Sequence, residues 1–477
     1  MMLKSPELPD CRYLSPPVMV RPANPTPKHT LYLSNLDDQN FLRFSIKYVF
    51  LFEKGVSLCN LKRSLAIVLE HYYPFAGRLR VCGGGASRSE FDRKLEVECN
   101  GEGAVFAEGF MDLTAEEFLR MADTPNRSWR KLLYRFETLG FLDIPPLVLQ
   151  VTNLRCGGMI LCTGINHCLS DGVGTSQFLH AWAHLTSKPN LPLPIIPFHF
   201  RHVFKPRNPL HVTFHHPQYS KTTPSNNHIL LNLLRSLPLR PVSVVFSGAD
   251  ILRLKRRCTP SLKCTSFEAL AAHTWQSWLH SLATAAVISP LPPSLLINLL
   301  FSVNVRRHMH LPEPPSGFYG NAFVLACAQS TVKDLTANAT VGNIHHSVTL
   351  VQQAKAAVTE EYVRSVVDML DDRNVRTDMS ATLVISQWSK LGLEDLDFGE
   401  GKPIHMGPLA SDIYCLFLPV SGDLSAVRVL VSVPECVAHK FEYYMKGCCY
   451  TDHEDEHTIN NIINSSNNSN GQQNGFI

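Results

Sequence analysis

"LCTGINHCLSDGVGTSQFLHAWAHL", residues 161–185, is the stretch whose reading decides the fold. An apolar run ends at Asn166 and His167, "SDGVG" supplies a turn, and "TSQFLHAWAHLTS" then spaces its apolar residues at helical intervals. The expected order is strand, turn, helix, with His167 at the junction, where a side chain leaves a rigid scaffold and can face a cavity. Asp171 follows four residues later. A neutral imidazole can take a proton from an alcohol or amine as it attacks a carbonyl. The carboxylate either fixes the imidazole tautomer or binds a backbone group or an arginine and holds the turn. The spacing alone proves little: with 21 histidines in the chain, about one His-x-x-x-Asp match arises by chance. Position at a strand end is what gives this pair weight.

Upstream, "PPLVLQVTNLRCGGMILCTGIN" reads as two strands joined by a turn at Arg155–Gly158. "NFLRFSIKYVFLFEK" has strand character, and "SLCNLKRSLAIVLEHYYPFAG" a helix that ends near Tyr73 and Pro74. "RKLEVECNGEGAVFAEGF" reads as two short strands around an Asn-Gly-Glu-Gly turn. Downstream, residues 189–225 are dense in proline and lack a period, which predicts a long crossover between two domains. His199, His202, His211, His215 and His216 lie there without a Cys or carboxylate at ligand spacing, so no metal site is expected. "CTSFEALAAHTWQSWLHSL" predicts a helix opened by a Thr265–Glu268 capping box. The Asn- and Ser-rich residues 451–477 read as a disordered tail.

At 477 residues the chain exceeds one compact domain, and alternating helical and strand periods indicate a mixed α/β protein. A net charge of +3 gives no reason to expect a nucleic-acid partner. Most of the 14 cysteines sit in apolar runs and none forms a CxxC pair, which predicts reduced, buried thiols and a cytoplasmic protein, with secretion the less favoured alternative. The N-terminus lacks the apolar region of a signal peptide. The longest apolar neighbourhood, residues 282–303, is broken by "SPLPPS", so no transmembrane segment is expected. A G-x-S-x-G elbow, a phosphate-binding G-x-x-x-x-G-K-[ST] loop and a G-x-G-x-x-G fingerprint after a strand are all missing, which disfavours hydrolase, nucleotide-triphosphate and dehydrogenase chemistry.

In order along the chain, "YYPFAGRLR", "VECNGEGAVFAEG", "QVTNLRCGG", "HCLSDG", "SFEALAAHTW", "VNVRRHM…GFYGNAF" and "ISQWSKLGLEDLDFGEGKP" resemble segments of the plant BAHD acyltransferases. The resemblance spans about Pro9 to Tyr444. It implies an α/β fold of two similar mixed-sheet domains of the chloramphenicol-acetyltransferase-like type, joined by a long crossover, with the active-site channel between them. The domains would cover residues 1–188 and 226–450, with the crossover at 189–225. It also implies transfer of an acyl group from a coenzyme A thioester to a hydroxyl, less readily an amine, of a small plant metabolite, in a ternary complex without a permanently bound cofactor. A monomer is expected.

Carried over by residue, His167 is the general base. Trp388 is a candidate donor to the tetrahedral oxyanion, or else an ordinary core aromatic. Arg306 and Asp397 match family positions thought to pair with each other away from the reacting atoms. Coenzyme A is polyanionic, so Thr265 and Ser266 at a helix start, with Arg256 in the basic "RLKRRC" cluster, are candidate contacts. Three departures stand out: Glu400 replaces the usual tryptophan of the D-F-G-W-G segment, Asn304 replaces an aspartate, and "FHFRHVF" stands where many members carry an Asp-Arg pair. The change at Glu400 implies an altered wall in the second domain. It also motivates a competing reading, a non-catalytic accessory of fatty-acid elongation in wax formation. A condensation domain is disfavoured because Asn166 stands where that group carries the first histidine of its signature.

Overall fold

The computed structural model describes residues 6–83, 93–137, 140–221, 229–258, 262–285, 290–310, 314–337, 344–412 and 414–447. The glycine-rich 84–90 stretch and the 451–477 tail lie outside the described residues.

The strands collect into two large mixed sheets. The first runs Cys11–Tyr13, Ala104–Met111, Leu147–Leu154, Met159–Asn166, Ser45–Phe52, His405–Pro408, with Val18–Val20 also on Ala104–Met111. Leu147–Leu154 and Met159–Asn166 form the expected antiparallel hairpin around Arg155–Gly158, and all eight residues of the second strand are buried. That burial on both faces explains why the strand reads as a continuous apolar run rather than an alternating one. The second sheet runs Leu239–Phe246, Asp423–Pro434, Cys415–Val420, Thr382–Gln387, Leu296–Asn304, Phe323–Thr331. Helices Leu58–His71 and Gly172–Ser187 pack together, and the first core gathers residues from both alongside the first sheet. Helix Ser266–Ala283, opened by the Thr265–Glu268 box, contributes much of the second core.

Three features differ from the linear reading. Leu95–Cys99 and Ala104–Met111 do not pair with each other: the first joins a small sheet with His29–Tyr32 and Arg78–Val81, the second the large one. The two halves also exchange material. His405–Pro408 pairs with Ser45–Phe52, and Trp388, Leu396 and Phe398 pack in the first core. The crossover, finally, is anchored along its length, with Phe198 donating to the Gly317 carbonyl, Phe204 packed on Phe318, and Tyr219–Lys221 paired with Val375–Thr377.

Of the twelve described cysteines, all of them free thiols, Cys59, Cys82, Cys156 and Cys436 are exposed. The expectation of buried thiols therefore holds for only part of the set.

Candidate active site

His167 is the first residue beyond the buried strand, and its N–H donates to the Phe44 carbonyl at 2.9 Å. The next residues are held locally. The Asn166 side chain accepts from Cys168 N–H at 3.0 Å, and Asp171 caps the following helix by accepting from Gly174 N–H at 2.9 Å. Gly174 has no alternative here, because a Cβ at that position would lie 1.8 Å from the Tyr319 carbonyl oxygen. The helix start and the 317–322 segment therefore touch backbone to backbone.

That segment brings the second half of the chain to the histidine. The His167 ring lies 5.5 Å from the Phe44 ring and 6.0 Å from that of Phe323, and its Nδ1 is 3.1 Å from Asn321 Oδ1. Phe323 belongs to an apolar cluster with Leu42, Leu300 and Leu325. Burial lowers the pKa of His167 from the usual 6.5, opposed by its own carbonyl, Asp171, Asn321 and Asp37. The ring is thus neutral at pH 7, as a base must be.

Asp171 points elsewhere. Its two oxygens each accept from a guanidinium nitrogen of Arg306 at 2.9 Å, and one also accepts from Ala322 N–H at 3.1 Å. Arg306 continues to the carbonyls of Gly320 at 2.9 Å and Phe318 at 3.2 Å. The pair is bidentate, with the carboxylate buried and the guanidinium partly so, and it ties the turn after His167 to the other half of the chain. The Arg306–Asp397 pairing implied by the resemblance is therefore corrected. Asp397 instead caps its own turn, accepting from Gly399 N–H at 2.7 Å and Gly401 N–H at 3.0 Å. Both glycines have positive φ, 106° and 112°, which a chiral residue adopts only with strain. Glu400 between them is exposed, while Phe398 packs on Trp182 and Phe52 in the first core. The acidic substitution changes an exposed turn and not a wall of the second domain.

Trp388 lies 7% exposed with its ring 4.5 Å from Tyr48. Tyr48 lies on the strand next to the one that ends at Asn166, where it pairs with Thr163. The structure brings Asp171 and Arg306 to the turn that carries His167, leaves Asp397 capping its own turn, and packs Trp388 on Tyr48.

In the second half, a cavity of about 380 Å³ is lined by Lys255, Ser266, Phe267, Ser389, Lys390 and Glu394, among others. Ser266 is a lining residue, as the sequence suggested. Thr265 is occupied in its capping box, and Arg256 is exposed and outside the lining, where its neighbour Lys255 takes the place. Sequence reasoning included Lys255 in the basic "RLKRRC" cluster but singled out Arg256, and it missed Lys390 and Asn321. Asn321 lies within the "GFYGNAF" segment, but nothing local marks it as a partner for a residue 154 positions away. The crossover histidines disperse: His199 bonds Tyr319 at 3.0 Å, His202 stacks on Tyr32, and His216 bonds Ser365 at 2.9 Å. Among the described residues no helix is long and apolar enough to cross a membrane.

Comparison with known proteins fits this arrangement. The model described as "Transferase family" matches residues 17–446. A fatty alcohol:caffeoyl-CoA acyltransferase of Arabidopsis thaliana is 33% identical over 90% of this chain and 96% of its own. A benzyl alcohol O-benzoyltransferase of Petunia hybrida is 34% identical over 82% of each chain. The crystal structure of vinorine synthase shares the fold, with a TM-score of 0.68 at 18% identity over 92% of this chain and 98% of its own. The chain is therefore a member of the Transferase family, the plant BAHD acyltransferases, and an acyltransferase by function.

Proposed function

We propose that the enzyme moves an acyl group from a coenzyme A thioester to the hydroxyl of a hydrophobic alcohol, with His167 as the base. The observation that carries this reading is the placement of a neutral, partly exposed imidazole at a strand end between Phe44 and Phe323, beside the apolar cluster of Leu42, Leu300 and Leu325. His167 removes the hydroxyl proton as the oxygen attacks the thioester carbonyl. The tetrahedral intermediate then collapses, the C–S bond breaks, and the imidazolium returns its proton to the departing thiolate. An acyl-enzyme is not needed.

The cavity at Ser266 is the proposed donor site. Lys255 and Lys390 supply charge for the phosphates, and the helix N-terminus at Ser266 adds backbone N–H groups. Relatives named for fatty and benzyl alcohols support a hydrophobic acceptor. The same names, all of acyltransferases, give no support to a non-catalytic accessory role.

Acetyl-, malonyl-, hydroxycinnamoyl- and long-chain-CoA donors crossed with aliphatic and aromatic alcohols, read by thiol release, test the proposal. At least one pair should turn over steadily in the native enzyme and lose at least about a hundredfold in His167→Ala. Full activity in a folded His167→Ala would overturn it.

A further inference from the structure

We infer that the carboxylate which orients the base is Asp37, acting through Asn321, and that Asp171 of the recognised motif does not do this. The inference rests on His167 being the base.

The geometry fixes the amide of Asn321. Its Nδ2 donates to the His167 carbonyl at 2.7 Å and to Asp37 Oδ1 at 3.0 Å. Both partners are acceptors only, so each amide hydrogen is committed and the amide cannot turn over. Oδ1 therefore faces the imidazole, where it can only accept. Nδ1 of His167 must carry the ring proton, and Nε2 is left with the lone pair that removes the substrate proton.

Asp37 is fully buried and holds this arrangement from behind. One of its oxygens accepts from Asn321 N–H at 2.8 Å as well as from the amide. The other accepts from Ser34 N–H at 3.0 Å and the Ser34 hydroxyl at 2.6 Å. The balancing charge is Arg201 of the crossover, also fully buried, whose Nε stands 3.8 Å from the carboxylate. Its guanidinium lies on the Tyr319 ring at 4.5 Å and donates to the Leu169 carbonyl at 3.0 Å. Gly320 leaves it room, since a Cβ there would fall within 2.7 Å of three guanidinium atoms. The arginine of the divergent "FHFRHVF" segment thus has its acid on a distant loop rather than beside it in sequence.

When Nε2 takes the substrate proton, the imidazolium is one amide away from a carboxylate, a relay comparable to the carboxylate–histidine pair of hydrolytic triads. Asp171, its oxygens occupied by Arg306 and two backbone N–H groups, influences the ring only through space. Asp37 and Asn321 are positioning residues.

The charged groups around His167 are Asp37 and Asp171, each backed by its own arginine, Arg201 or Arg306. Asn321 and Asp37 both hold its pKa up, so removing either should move the acidic limb of kcat/KM to lower pH. The test measures kcat, KM and that limb in Asn321→Ala, Asp37→Asn and the double variant. The expected result for Asn321→Ala is a kcat loss on the alkaline plateau between about ten- and a thousandfold, with KM within about threefold, and a limb displaced downward. Because Asp37 acts through Asn321, Asp37→Asn should add little kcat loss to Asn321→Ala. If Asp37→Asn does not fold, Asp37→Glu, which keeps the charge beside Arg201 but displaces the oxygen that accepts from Asn321, takes its place in the same comparison. Unchanged kcat with an unmoved limb, or fully additive losses in the double variant, would overturn the relay. An active His167→Ala would instead bring down the base itself, so the two failures are distinguishable.

Discussion

Replacing Asp171 by alanine separates a structural motif aspartate from a chemical one. In the native chain its carboxylate receives two bonds from Arg306 and one each from Gly174 and Ala322. Loss of the helix cap costs about 1 kcal/mol. Loss of the partner leaves Arg306, whose side chain is 16% exposed, with the carbonyls of Gly320 and Phe318 and a long bond to the Asn304 side chain, none of them charged. Breaking a buried pair costs about 3–5 kcal/mol, and the partial exposure argues for the lower end. The sum is about 4 kcal/mol, which at an m-value of about 3 kcal/mol/M lowers the urea midpoint by about 1.3 M. Burial raises the pKa of Asp171, but the charge and hydrogen bonds of Arg306 outweigh it, and the net shift is below the usual 3.8. A depressed carboxyl stabilises the fold above its unfolded pKa and loses that contribution as pH falls through the folded value. The midpoint gap between native enzyme and variant should therefore be constant above about pH 5 and narrow below about pH 4. In the absence of urea, kcat should stay within about tenfold, since the Asp171 carboxylate is taken up by Arg306 and two backbone N–H groups and does not bond the imidazole. A variant with an unchanged midpoint and a kcat loss like that of His167→Ala would refute this reasoning and place Asp171 in the chemistry.

Two further outcomes follow from where side chains lie. Lys255→Ala should raise the KM for acyl-CoA about fivefold, an effect of about 1 kcal/mol that shrinks with added salt, whereas Arg256→Ala should leave it within about twofold. A titration of both variants at low and high ionic strength checks this, and equal effects would remove the cavity at Ser266 as the donor site. Trp388→Phe keeps a ring against Tyr48 and deletes the indole N–H, so kcat should remain within about tenfold. A loss of about a hundredfold or more would assign Trp388 to the oxyanion.

Local physics made much of the architecture legible. The buried hairpin ending at Asn166 announced itself as a continuous apolar run closed by a glycine turn, and helix Ser266–Ala283 announced itself by a T-x-x-E box before an apolar stripe. His167 was visible because its position at a strand end is a local property. Pairings between distant segments were not legible. Leu95–Cys99 and Ala104–Met111 look like a hairpin because only four residues separate them, yet they enter different sheets. Asp397 and Arg306 each carry a charge in a recognisable segment, but nothing along the chain says which opposite charge each one meets. Arg256 and Lys255 are adjacent cations, and only the rotation of their helix decides which one lines the cavity.

The sequence by itself determined the mixed α/β class and the family and singled out His167 as the candidate base, because periodicity, capping, turn chemistry and ordered segments are written in neighbouring residues. The tertiary structure alone decided that Asp171 binds Arg306, that Asn321 and Asp37 stand behind His167, and that residues after 380 complete the first core. Hydrogen bonds and ion pairs act over about 3 Å in space. Separations of 135 to 284 residues along the chain carry no trace of them until folding closes the distance.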